Sequence, residues 1–191
     1  VAFRTHQRLG QGFGVSPRVN YTKRRSATFE KVPRDLIPLP PRKPLPFAGL
    51  SSPGYGYETL LVEPPIFLKR LREDLAASGV LSSHKTFTSV DEILALSEPI
   101  IVNCTGLGAG TLFKDPAVIP IKGQLALLPA QPNLTWLYST DHTYVFPRAD
   151  CVVVGGSYEL NEDDENPVPR ICEQILQMAE DVFSGKPLAR E

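Results

Sequence analysis

Apolar and polar residues follow two different periods between residues 55 and 79. Residues 57–62 (YETLLV) are rich in aromatic, β-branched and aliphatic side chains, which favours a β-strand. Pro64-Pro65 comes next, at positions that the first turn of a helix tolerates. Apolar residues then recur at helical spacing, namely Phe67, Leu68, Leu71 and Leu75. The pattern predicts a strand followed at once by a helix that ends at Gly79.

Three shorter elements are predicted between residues 84 and 104. Residues 84–88 predict a short strand, and Ser89 begins a short helix because Glu92 completes a capping box with it. Residues 100–104 (IIVNC) are a continuous apolar run, which is typical of a strand buried on both faces. Within such a strand, Cys104 is expected to be a small buried residue rather than a nucleophile.

Strand-like segments dominate the chain beyond residue 120. Three of them are separated by turn residues, namely 121–128 (IKGQLALL), 143–147 (TYVFP) and 151–159 (CVVVGGSYE). Residues 148–150 form a three-residue hairpin connection between the last two. The helix predicted over 168–183 carries an apolar face of Ile171, Ile175, Leu176, Ala179, Val182 and Phe183. This order of elements predicts an α+β or α/β fold, a mixed β-sheet with flanking helices.

The first 54 residues have a different character. Residues 1–34 show no sustained period and carry eight Lys or Arg against one acid. We therefore predict an irregular basic N-terminal segment followed by a domain over 35–191. The basic run at 22–25 is either a nuclear-import or nucleic-acid patch or a solvated charge cluster. Residues 36–54 are rich in proline and predict an extended connector, with an SH3-type ligand as the alternative.

The composition argues against several classes of protein. A net charge of -1 disfavours nucleic-acid binding through bulk charge. No apolar stretch reaches the ~20 residues that span a bilayer, so no membrane segment is predicted. The three cysteines share no close spacing, and His6, His84 and His142 lie far apart in the sequence. Neither a disulfide framework nor a metal site is predicted, and a reducing compartment fits.

The segment IIVNCTGLGAG, residues 100–110, imitates a dinucleotide-binding loop. Gly106 and Gly108 fit the pattern G-x-G-x-x-G, but the third glycine is replaced by Thr111. Residues 124–131 also contain no acid that could hold a ribose. The turn can still bring the backbone close to a ligand, because glycine has no side chain in the way. No self-contained catalytic constellation is apparent, so the chemistry is expected to depend on a cofactor or on residues outside this sequence.

Three quoted segments together resemble the D-amino-acid oxidase family of FAD-dependent oxidoreductases. They are GYGYETLLVEPPIFLKRLREDLAASGV, IIVNCTGLGAGTLFKDPAVIPIKGQLALL and YVFPRADCVVVGGSYELNEDD. The resemblance covers roughly residues 28–185 and is strongest over 54–160. It implies the substrate-domain portion of a two-part FAD oxidoreductase. The family's N-terminal G-x-G-x-x-G half, and the C-terminal arginine that clamps the substrate carboxylate, have no counterpart in these 191 residues.

The resemblance also implies roles for particular residues. Thr105 and Gly106 match the family's T-G turn beside the FAD, and Phe87 matches a position near its adenosine end. Tyr144 matches an active-site tyrosine whose hydroxyl helps to hold the substrate carboxylate. Judged without the resemblance, Tyr144 is an ordinary strand aromatic. A second family tyrosine falls on Thr140, with Tyr138 as a candidate to compensate for it.

The activity implied is oxidation of D-amino acids to 2-oxo acids with release of ammonia and hydrogen peroxide. The partners implied are the small-molecule substrate and O₂, with a homodimer for the full-length family member and a peroxisomal or cytoplasmic, intracellular location. Two alternatives stay open. One is a related flavin amine oxidase acting on glycine, sarcosine or D-aspartate, and the other is a non-catalytic interaction module built on the basic and proline-rich residues.

Overall fold

The computed structural model describes residues 2–25, 27–47, 49–50, 52–140 and 143–184. His142 lies outside this part of the chain. The helices are α1 (Ala2–Leu9), α2 (Ala27–Glu30), α3 (Pro64–Ala77), α4 (Val90–Leu94), α5 (Gly108–Phe113) and α6 (Pro169–Ser184). The strands are β1 (Val15–Thr22), β2 (Tyr55–Val62), β3 (Ile121–Lys122), β4 (Leu125–Pro129), β5 (Trp136–Ser139), β6 (Tyr144–Pro147), β7 (Cys151–Gly155) and β8 (Glu159–Leu160).

Six of the strands form one mixed sheet in the order β2-β1-β5-β6-β7-β4. Strands β1 and β5 run parallel, and the other neighbours run antiparallel. Strands β3 and β8 form a separate two-stranded pair. A mixed sheet with flanking helices was the fold expected from the sequence, and it is confirmed.

One face of the six-stranded sheet carries the main hydrophobic core. Helix α6 packs on it through Ile175, Ala179 and Val182, which meet inward-facing residues such as Val145 and Val154. The proline-rich connector covers the rest of this face with Leu45, Phe47 and Leu50. Because side chains alternate along a strand, Tyr144 and Phe146 of β6 point to the opposite face.

The expectation that residues 1–34 are irregular is wrong. They contain α1, α2 and β1, and β1 pairs along its whole length with β2 and over Val19–Tyr21 with β5. In the sequence, Pro17 argues against a strand here, because proline cannot donate a hydrogen bond to a neighbouring strand. In the structure Pro17 lies in the part of β1 that β5 does not pair with, where a missing donor is tolerated.

Two strands predicted for the middle of the chain do not form. Residues 84–88 and 100–104 have no regular structure. Ile100 and Val102 are 82% and 78% exposed, and Cys104 is exposed rather than buried as expected. A run that is apolar on both faces needs neighbouring strands, and no strand pairs with it among the described residues. On α6, Leu176 was expected on the buried face but is 37% exposed.

Several other elements agree with the sequence. However, the strand predicted over 121–128 is divided into β3 and β4, the strand predicted over 151–159 is divided into β7 and β8, and α5 was not predicted. Strand β2 and helix α3 form as predicted, and the backbone at Gly79, just beyond α3, is left-handed at φ 81. The Ser89 side chain accepts from the Glu92 amide at 3.3 Å and begins α4. The β6–β7 hairpin and α6 are also confirmed. Strand β5, only four residues long, was not predicted.

Candidate ligand site around Tyr144

Tyr144 is the first residue of β6 and lies between Ser139 of β5 and Gly155 of β7. Its ring stacks on Phe146, with ring centroids 4.7 Å apart. The ring also lies directly over Gly155, where any Cβ would overlap it. Glycine at position 155 is therefore what allows the tyrosine to lie flat on the sheet.

A cavity of about 420 Å³ opens beside Tyr144. Its other side chains are mostly polar and uncharged, and those that matter here are Gln124, Leu125, Thr140, Thr143, Ser157 and Tyr158. Burial raises the pKa of Tyr144 and so favours the protonated phenol, which can donate a hydrogen bond. The cavity thus offers a donor to an anionic group such as a carboxylate.

One wall of the cavity is held by the buried side chain of Gln124. Its Nε2 donates to Glu159 Oε1 at 2.8 Å, and its Oε1 accepts from the Val168 amide at 2.6 Å. The backbone amide of Gln124 donates to Ser157 Oγ at 2.9 Å. These bonds tie the start of β4 to β8 and to the residue before α6. The sequence analysis gave Gln124, Ser157 and Glu159 no role. The one indication was Gln124 itself, a polar residue within the apolar run IKGQLALL, where a buried side chain needs hydrogen-bond partners.

Thr140 and Thr143 are hydrogen-bonded to each other just before β6. The Thr140 amide donates to the Thr143 carbonyl at 2.8 Å, and the Thr143 amide donates to Thr140 Oγ1 at 3.1 Å. The Thr140 side chain is therefore bonded to Thr143 at the edge of the cavity. It is smaller than the tyrosine that the family resemblance implies at this position.

Tyr138 does not lie near this cavity. It is fully buried on the α6 face of the sheet, where its ring meets Phe47 and Phe183 at centroid distances of 6.0 and 5.1 Å. Neighbouring β-strand positions point to opposite faces, and Tyr138 pairs with Val145 rather than with Tyr144. The suggestion that Tyr138 compensates for Thr140 is therefore wrong.

The residues assigned to the cofactor by resemblance lie in exposed segments. Thr105 donates from its amide and its hydroxyl to Asn103 Oδ1, at 3.1 and 2.7 Å. Gly106 follows in a left-handed turn with φ 59, and no heavy atom lies within 4 Å of the point where its Cβ would be. The backbone of this turn is therefore accessible to a ligand, as an FAD contact requires. Phe87 is half-buried beneath the Lys85 ammonium, 5.0 Å from its ring centroid.

Comparison with known proteins gives the site its context. Residues 18–191 match the model of the family described as FAD dependent oxidoreductase (DAO). The chain belongs to this family. Its members use FAD, and the open backbone at Thr105 and Gly106 fits such a cofactor.

Individual relatives within the family carry a more specific name. The chain is similar to a D-amino-acid oxidase of Streptomyces coelicolor, 32% identical over 68% of this chain and 41% of the relative. A D-amino-acid oxidase of Rubrobacter xylanophilus is 31% identical over 65% of this chain and 39% of the relative. A D-amino-acid oxidase of Dictyostelium discoideum is 25% identical over 65% of this chain and 36% of the relative. The chain thus spans about two fifths of the length of the curated relatives it matches.

The described residues contain neither a membrane-spanning helix nor a cluster of potential metal ligands. No helix among them is both long and apolar enough to cross a membrane. The same residues contain no group of three or more His, Cys, Asp or Glu placed to hold a metal ion.

Proposed function

We propose that this chain is the substrate-side portion of an FAD-dependent enzyme that oxidises D-amino acids. The products are the 2-oxo acid, ammonia and hydrogen peroxide, and O₂ is the second substrate. The observation that carries the proposal is the protonated Tyr144 phenol beside a polar cavity, at the position the family resemblance assigns to the carboxylate-binding tyrosine. The relatives named D-amino-acid oxidase support the same substrate class.

The chain's own residues would bind and orient the substrate. The Tyr144 hydroxyl donates a hydrogen bond to the substrate carboxylate, and the rigid strand pair β6–β7 holds the ring in place. Leu125, 45% exposed at the edge of the cavity, supplies an apolar surface for the substrate side chain. The turn at Thr105 and Gly106 and the segment at Phe87 would contact FAD. When bound, FAD supplies the group that accepts a hydride from the substrate α-carbon.

The proposal is tested with the purified chain by separating cofactor binding from turnover. FAD is titrated while flavin fluorescence and visible absorption are followed, and peroxide is then measured with a panel of amino acids. We expect saturable FAD binding. Because the family's G-x-G-x-x-G half and substrate arginine have no counterpart in these 191 residues, the proposal requires cofactor binding but not turnover from this chain alone, and any peroxide should form from D-alanine and not from L-alanine. Glycine, sarcosine and D-aspartate belong in the panel, because a preference for one of them would identify a related amine oxidase instead. A chain that binds no FAD and forms no peroxide from any amine would contradict the proposal.

A further inference from the structure

The proline-rich connector contains a stretch that the hydrophobic core does not use. Leu45, Phe47 and Leu50 pack on the α6 face of the sheet. The residues just before them, 38–44 (PLPPRKP), are exposed at every position except the half-buried Pro40. The stretch includes Leu39, a large apolar side chain that is 51% exposed. It is therefore displayed on the surface and does not serve to cover the core.

Proline restricts the backbone of this stretch to an extended form. Of the eight residues 37–44, only Arg42 is neither a proline nor followed by one. Proline holds its own φ near about −65° and excludes the residue before it from the helical region. Residues 38–42 form no backbone-to-backbone hydrogen bond with the described part of the chain. These are the properties of a polyproline II helix, whose backbone has no internal hydrogen bonds.

Both ends of the stretch are tied to the folded domain. Ile37 is 6% exposed, and its amide donates to the Pro33 carbonyl at 3.2 Å. At the other end, the amides of Lys43 and Gly54 each donate to the carbonyl of the other residue, both at 2.8 Å. Residues 38–42 are thus held extended between two anchors without being covered. A segment that is ordered before it binds a partner loses less conformational entropy on binding.

The spacing of the prolines fits one mode of peptide recognition. A polyproline II helix has three residues per turn, so Pro38 and Pro41 lie on the same edge. SH3 domains, which are small binding modules, receive such a P-x-x-P edge in an aromatic-lined groove. Lys43 follows two residues after Pro41, and neither Lys43 nor Arg42 forms an ion pair with the described residues. The basic end of the stretch is therefore available to carboxylates of a partner.

The charge of the N-terminal part of the chain also favours an acidic partner. Residues 1–43 carry ten Lys or Arg against two acids, Glu30 and Asp35. Both acids are already paired with arginines. An excess of positive charge remains, and it would speed association with an acidic surface at low salt.

We propose that residues 38–43 (PLPPRK) are a docking site for an SH3-type domain whose aromatic groove is bordered by acidic residues. The two prolines of the common edge enter the groove, and the cations that follow them pair with its acidic border. The inference goes beyond the proposed oxidation of amino acids and does not rest on it, since no residue of the stretch lines the Tyr144 cavity.

The test titrates the whole 191-residue chain with a panel of purified SH3 domains that carry acidic residues beside the groove, using isothermal titration calorimetry. We expect saturable binding to at least one domain. Pro38→Ala combined with Pro41→Ala should weaken that binding by about tenfold or more, because the apolar contacts and the restricted backbone are both lost. Pro46→Ala is the matched control, since it removes an exposed proline outside residues 38–43, and it should bind like the wild-type chain.

Two single variants test the role of the charge. Lys43→Gln should weaken binding by about twofold to fivefold, the usual effect of one exposed ion pair. Lys31→Gln removes an exposed lysine outside the stretch and should change the affinity much less. In the labelled wild-type chain, NMR shifts of the Leu39, Arg42 and Lys43 amides should follow the titration. The same SH3 domain with one groove aromatic residue replaced by alanine should not bind.

Three results would overturn the inference. They are no binding by any domain of the panel, equal affinity of the wild-type chain and the double proline variant, and equal affinity of Lys43→Gln and Lys31→Gln. Denaturation midpoints of all variants separate a lost contact from a lost fold. FAD titration reports on the proposed function separately. A chain that binds an SH3 domain but no FAD would keep this inference and lose the proposed function.

Discussion

Replacing Tyr138 with phenylalanine is expected to stabilise the protein. Tyr138 is fully buried in β5, and its phenolic oxygen has no hydrogen-bond partner among the described residues. Phenylalanine keeps the ring contacts with Phe47 and Phe183 and removes only the oxygen. A buried unpaired hydroxyl costs about 1–3 kcal/mol, so we expect the free energy of unfolding to rise by about 1 kcal/mol at neutral pH.

The same substitution should have a larger effect at alkaline pH. Burial raises the pKa of Tyr138 from 10.0 to about 12. The folded state holds this proton more tightly than the unfolded state. Its contribution to the free energy of unfolding is therefore complete below pH 10.0 and is lost as the pH rises through about 12. One pKa unit corresponds to about 1.4 kcal/mol. Once the pH is well above 12, the wild-type chain should have lost about 3 kcal/mol more than Tyr138→Phe.

Urea denaturation followed by tryptophan fluorescence measures both effects. Trp136 is the only tryptophan of the chain, and its ring contacts Phe47 and Phe183 in the same cluster as Tyr138. Tyr55→Phe, on β2, is the matched control and should leave the midpoint at neutral pH unchanged. A lower midpoint for Tyr138→Phe at neutral pH would refute the reasoning, because it would show that the hydroxyl makes a stabilising bond. Parallel alkaline losses in both chains would refute the raised pKa.

Three further substitutions test other parts of the structure. Tyr144→Phe should weaken D-alanine binding by about tenfold in an NMR titration while changing the free energy of unfolding by less than ~0.5 kcal/mol, since only a cavity hydroxyl is removed. Ile175→Ala on α6, where the side chain is 1% exposed, should lower the free energy of unfolding by about 2–5 kcal/mol, as measured by urea denaturation. Leu176→Ala, where the side chain is 37% exposed, should lower it by much less. Leu127→Lys on the edge strand β4, where the leucine is 62% exposed, should reduce association in sedimentation experiments without lowering the denaturation midpoint. Equal losses of stability in Ile175→Ala and Leu176→Ala would contradict the second expectation. A soluble, monomeric wild-type chain would contradict the third.

Elements that satisfy their own hydrogen bonds or pair with a sequence neighbour could be predicted from the sequence. Helices α3 and α6 show their apolar spacing directly, and the β6–β7 hairpin needs only a three-residue connection. Strand β1 could not be predicted, because its partners β2 and β5 begin 33 and 114 residues beyond its last residue, Thr22. Pairing over such distances leaves no local pattern, and Pro17 in the strand argues against it.

Only part of the candidate site could likewise be predicted from the sequence. Roles for Tyr144 and Thr140 could be proposed by resemblance, because Tyr144 begins the recognisable strand YVFP and Thr140 lies four residues before it. The bonds among Gln124, Ser157 and Glu159 could not be predicted, because they join the residue before β4, the connection between β7 and β8, and β8 itself. The residue types are common in loops, and only the folded geometry shows that they converge.

The sheet face that carries the cavity is also the face with the least apolar cover. Tyr144 lies on the side opposite α6, together with Leu125 and Leu127, which are 45% and 62% exposed. The run Ile100–Val102 adds exposed aliphatic side chains near the turn assigned to FAD. Sheets normally bury such a face beneath a second layer. We therefore expect the ligand site and the association-prone surface to be one region, so that covering this face would both complete the cavity and improve solubility.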